Sequence, residues 1–190
     1  MTKLMGYREQ VRDAIARRTG EALLNGSIDH AAVIVQETFS SAKKSIRLLS
    51  SKLDAECYGR LSVRNAAQVF LADPDHSAEI LVESSLSDDN DNFEWAKHPF
   101  LSDLAPFGSD GLKRLQVRTV PKEWVERYKF NFLLMDDYGY RYESDRKETA
   151  AVVAFLPEGE KGTVDNLNGI FDRLWNVSKV VSLIKPAPTK

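Results

Sequence analysis

A chain of 190 residues with 43% hydrophobic and 28% charged residues has the composition of a globular domain able to bury roughly 70% of its unfolded surface without a covalent staple. A formal net charge of -2 offers no global attraction to polyanions, so a nucleic-acid partner is the least expected of the binding classes. No apolar run approaches the ~20 residues that span a bilayer, Met1-Thr2-Lys3-Leu4 lacks a signal-peptide core, and the single Cys57 has no disulfide partner; a cytoplasmic, non-membrane protein is expected.

Leu4, Tyr7, Val11, Ile15, Ala22 and Leu23 recur at roughly helical spacing, which predicts a first helix over 3–24 with Arg8, Arg12, Arg17 and Arg18 among them. Asn25-Gly26-Ser27 ends it, and Asp29 can cap a second helix over 31–43, whose stripe is Ile34, Val35, Thr38, Phe39 and Ala42. The pattern then predicts strand 45–50, helix 62–72, strand 78–83, a short helix over 99–104 and strand 115–120. Strands follow at 130–135, 139–143 and 150–156, with Asp137-Tyr138-Gly139 as turn chemistry between the first two. A last helix over 164–177, with Thr163 as its cap, carries Leu167, Ile170, Phe171, Leu174 and Trp175 on one face. Residues 85–92 read as an acidic surface loop and 185–190 as a frayed tail. Alternating strands and helices with a late hairpin imply an α/β fold with a mixed sheet. Phe132-Leu133-Leu134-Met135 has no polar alternation, as a strand covered on both faces requires.

That strand carries the main chemical signal. Lys129-Phe130-Asn131, the apolar run and Asp136 have the frame His-x-Lys-x-x-x-x-Asp, with Lys129 at the His position and Asn131 at the Lys position. Upstream lie the entry Ala42-Lys43-Lys44-Ser45-Ile46, a strand ending in Glu83-Ser84, and Val117-Arg118-Thr119-Val120; downstream lies Phe171-Asp172-Arg173-Leu174-Trp175. This order resembles a single phospholipase D-like domain over about 31–181, most of all the degenerate bacterial members that keep the strands and have lost the His-Lys pair. The resemblance implies a phospholipase D-like mixed sheet flanked by helices, over 27–184, with an N-terminal helical extension at 1–26 and a flexible tail at 185–190. In the active family the His becomes phosphorylated and the Lys neutralises phosphate oxygens, and single-domain members pair two-fold so that two motifs face each other.

Lys129 has no imidazole to offer: an ammonium of ordinary pKa near 10.4 is protonated at pH 7 and is no nucleophile. Asn131 donates hydrogen bonds but brings no charge. Thr149-Ala150-Ala151-Val152 stands where the family often has Gly-Ser-x-Asn. No catalytic residue and no cofactor are therefore expected. His30, His76 and His98 lack a spaced metal partner, so no metal site is expected either. Phe107-Gly108-Ser109-Asp110-Gly111 lacks the Lys-Ser/Thr ending of a phosphate loop and reads as a turn. Trp175 reads as core, and Trp95, next to the acidic loop, as packing.

The remaining candidate is a ligand-binding group of Lys129, Asn131, Asp136, Arg141 and Arg118. Lys129 and Asn131, two apart on one strand, would face the same way, and Arg141 on the next strand would be the main anion donor. The alternative is a structural ion pair of Arg141 with Asp136 or Glu143. The expected function is a non-catalytic, regulatory phospholipase D-like binding domain acting as a homodimer, with a protein partner on the N-terminal helix. The alternative function is a phosphodiesterase or nuclease with a rebuilt active site.

Overall fold

The computed structural model describes residues 3–83, 94–109, 114–145 and 150–184. The expected acidic loop at 85–92, the tail at 185–190, Thr149 and the Asp110-Gly111 end of the glycine-containing turn lie outside the described residues. Helix α1 (Lys3–Arg17) buries Tyr7, Val11 and Ile15, spaced four apart on one face. They pack on α2 (Ile28–Ser41), where buried Glu37 receives the guanidinium groups of Arg8 at 3.3 Å and Arg12 at 2.7 Å. The apolar face of α1 is thus covered by its own protein, which removes the reason for expecting a protein partner there.

Helix α1 also stops seven residues earlier than the expected end at Leu24. Arg18 turns left-handed (φ 49°) and Gly20 follows (φ 76°), its N–H taken by the Phe155 carbonyl at 2.9 Å. The chain leaves that break extended, as β1 (Leu23–Asn25). Ala22 and Leu23 kept the helical spacing by coincidence: Leu23 packs inward while Leu24 is 74% exposed. Ser27, not Asp29, caps α2 by accepting from the His30 N–H at 3.2 Å; Asp29 instead accepts from Arg60 at 2.6 Å.

The next elements are β2 (Ser45–Ser50), α3 (Ala55–Tyr58), α4 (Leu61–Ala72) and β3 (Ser77–Glu83). A 3-10 turn (Trp95–Lys97), α5 (Pro99–Leu104) and α6 (Pro106–Ser109) lead to β4 (Leu115–Val120). The chain continues through α7 (Lys122–Val125), β5 (Asn131–Met135), β6 (Gly139–Glu143), β7 (Ala151–Phe155), α8 (Gly162–Val177) and β8 (Lys179–Val180). Thr163 lies inside α8, and Lys161 occupies its cap position without a side-chain cap bond.

The strands form one open, mixed sheet in the order β1-β7-β6-β5-β2-β3-β4-β8. β2, β3 and β4 are parallel; β5 pairs antiparallel with β2 and begins the β5-β6-β7 meander. Leu133 and Met135 face the layer of α1, α2, α4 and α5, while Phe132 and Leu134 face Leu167, Phe171 and Leu174 of α8. Both faces of β5 are covered, which explains its unbroken apolar run. Among the described residues no helix is long and apolar enough to cross a membrane.

Candidate functional site

At the end of the sheet where β5 begins, Asn131 is held from both sides. Its Oδ1 accepts from the Ser51 N–H at 2.8 Å and its Nδ2 donates to Glu143 Oε2 at 2.7 Å. The β5-β6 register sets Asn131 opposite Glu143, and Arg141, two residues earlier, points the same way. Arg141 Nη2 donates to Glu143 Oε1 at 2.5 Å, with side chains 5% and 12% exposed, while its Nε has no hydrogen-bond partner. The fork that was expected to receive an anion receives an internal one. Beside it, burial pushes the Cys57 thiol up to about 12, with Arg141 pulling down and Glu143 pushing up, so it is no thiolate nucleophile at neutral pH.

The other expected ligand residues lie elsewhere. β5 starts at Asn131, so Lys129 precedes the strand and is exposed, and the two do not share a strand face. The preceding residues turn out of α7, and Phe130 packs its ring 5.5 Å from that of Tyr142. Arg118 on β4 donates to the Trp175 carbonyl at 2.8 Å and lies over that indole at 4.4 Å, which ties it to the α8 face. Asp136 is at the far end of β5. Of the five candidates, only Asn131 and Arg141 meet, and they meet through Glu143.

At that far end Asp136 adopts a left-handed φ of 51°. Its carboxylate accepts from the backbone N–H groups of Lys43 at 2.9 Å, Lys44 at 2.8 Å and Ser45 at 3.0 Å, pinning the entry of β2 to the exit of β5. Around this joint opens a cleft of about 740 Å³ lined by Arg18, Lys43, Lys44, Arg47, Tyr138 and Asp172, among others. Arg18 was read as a helix residue in the sequence. The break after α1 brings it over the Tyr138 ring, 3.4 Å from the centroid. The Arg-Thr-Gly sequence at 18–20 was the one local signal of that break.

Each histidine has a packing environment of its own. His30 stacks on Tyr7 at 3.8 Å and His76 on Phe70 at 4.6 Å, and burial lowers the His98 pKa.

The layers, the open mixed sheet and the strand order make an α/β fold in a phospholipase D-like arrangement. TrmBL2, an archaeal chromatin protein with a novel mode of DNA binding, superposes with a TM-score of 0.58 at 15% identity, over 93% of this chain and 60% of its own. Phosphatidylserine synthase from Haemophilus influenzae superposes with a TM-score of 0.55 at 12% identity, over 85% of this chain and 40% of its own. NucT from Helicobacter pylori gives 0.49 at 9% identity, over 84% of this chain and 98% of its own. The chain therefore spans less than two thirds of the first two proteins, and at these identities the likeness is one of fold.

By sequence, the chain belongs to the family described as a domain of unknown function (DUF7931), whose profile matches residues 27–185. No curated protein matches it. The likeness to TrmBL2 corrects the expectation about nucleic acid: a DNA-binding chromatin protein carries this fold, so a net charge of -2 is no ground for setting nucleic acid aside.

Proposed function

We propose that this chain is a catalytically degenerate phospholipase D-like domain that binds rather than cleaves. The observation that carries the reading is the occupied state of the signature end. Asn131 is bonded to Ser51 and Glu143, the Arg141 fork is bonded to Glu143, and Lys129 supplies no imidazole. General acid-base help is worth roughly 10²–10⁴ in rate and needs a poised pair of groups, which this end lacks among its described residues. The domain is expected to pair two-fold, as the family resemblance implies, and light scattering showing only monomer at micromolar concentration counts against that part.

The test is direct. Purified protein is incubated with phosphodiester lipids and with single- and double-stranded nucleic acids, and no turnover is expected. Robust hydrolysis abolished by Lys129→Ala overturns the reading.

One observation favours a second reading, a nucleic-acid-binding domain: the fold likeness to TrmBL2. A labelled duplex should then bind with an affinity that falls steeply between 50 and 200 mM salt, roughly in proportion to the number of phosphates neutralised. Salt-independent or absent binding removes this reading and leaves the first in place.

A further inference from the structure

We infer that the cleft at the exit of β5, at the opposite end of that strand from Lys129 and Asn131, is a binding site for a small phosphate-bearing molecule. The formal charges of its lining balance, but their partners do not. Every carboxylate there is already engaged. Glu79 and Asp172 both pair with Arg47 at 2.9 Å, and Asp137 takes the Lys161 ammonium at 2.6 Å, which holds its carboxyl below the usual range. Asp136 is filled by the N–H groups of Lys43, Lys44 and Ser45.

The donors are the reverse. Lys43 and Lys44 are exposed and neither ammonium is paired with a carboxylate among the described residues, while Arg18 is held over the Tyr138 ring at 3.4 Å and makes no ion pair among them. The carboxylates and Arg47 are spent on one another and the two lysine ammoniums are not, so the cleft calls for a ligand made of acceptors with negative charge, the description of a phosphate group. Its volume of about 740 Å³ lies within the range of roughly 300–1,000 Å³ typical of small-molecule pockets, and Ser45, Ser77 and Asn168 supply neutral polar groups for the rest of such a ligand.

Two of the non-glycine residues with positive φ, Arg18 and Asp136, line this cleft. Such conformations persist only where the surroundings over-determine them. The inference does not depend on the proposed lack of catalysis, because a working active site would lie at the other end of β5.

The experiment is calorimetric titration of the full chain with inorganic pyrophosphate and, separately, with ADP, at low salt and without metal. Binding of at least one is expected, together with a loss of tenfold or more in affinity in the Lys43→Gln/Lys44→Gln double variant. Both side chains are exposed and the backbone amides that hold Asp136 remain, so the melting temperature should not move. Lys129→Gln, at the far end, should leave the affinity unchanged. The inference is overturned if neither probe binds at millimolar concentration, or if the double variant binds as the parent does. It is equally overturned if Lys129→Gln causes the larger loss, or if only oligonucleotides bind.

Discussion

The two ends of β5 hold similar chemistry in opposite states. Where the strand begins, Arg141 and Asn131 converge on Glu143, the guanidinium is 5% exposed, and the cation has its anion built in. Where it ends, Asp136 is consumed by backbone amides, Arg18 lies over Tyr138, and Lys43 and Lys44 line the cleft with no ion pair among the described residues. The lesson concerns what makes a charged residue available. An arginine on the signature motif's neighbouring strand looks functional in sequence, yet a carboxylate two residues away makes it structural. A lysine pair at a strand entry looks like ordinary surface, yet the folding of acids onto other partners leaves it without an ion pair among the described residues. On the inference drawn above, anion binding belongs where donors are left over.

Removing one member of the buried pair is the strongest way to break this contrast. Arg141→Ala should cost about 3–5 kcal/mol, because Glu143 is left as a largely buried carboxylate without its cation. Urea unfolding measures it. A variant as stable as the parent means that the pair is not structural, and the two ends then no longer differ in kind. Pyrophosphate or ADP binding by the folded variant should be unaffected.

A smaller loss is expected at the other end. Asp136→Ala removes a charged acceptor shared by three backbone N–H groups and places alanine at a φ of 51°, at a cost of about 1.5–3 kcal/mol. Asp136→Asn keeps an acceptor and tolerates the left-handed backbone, so it should recover part of the loss in the same unfolding measurement. If alanine and asparagine behave like the parent, Asp136 does not hold the β2 entry in place.

The smallest effect is a matter of access and pH. At pH 8 Cys57 should resist thiol reagents in native buffer and react once denaturant is added. Because the folded thiol titrates at about 12 against an ordinary 9.0, the native state holds its proton more tightly. The resulting stability is fully present below pH 9 and declines as pH rises toward 12. Rapid native labelling at pH 8 shows that the signature end is open and removes the comparison's first half.

Much of this architecture was present in the order of residues, because periodicity reports burial directly. Phe132-Leu133-Leu134-Met135 announced a strand covered on both faces, and the parallel strands and late hairpin fell within a residue or so of their expected bounds. The absence of the His-Lys pair was also a property of the sequence alone, as was the candidacy of Lys129 and Asn131. Other features depended on distant parts of the chain. β1 exists because β7 offers it an edge, a contact more than 120 residues away that local spacing does not encode. The partner of Asp136 is the entry of β2 at 43–45, those of Asn131 are Ser51 and Glu143, and Arg18 finds Tyr138 only after the break at Gly20. Composition and spacing decide which residues must be buried and which chemistry is missing. Which charges are spent on one another is decided only when the sheet closes, because pairing falls off within a few ångströms and those distances exist only in the folded chain.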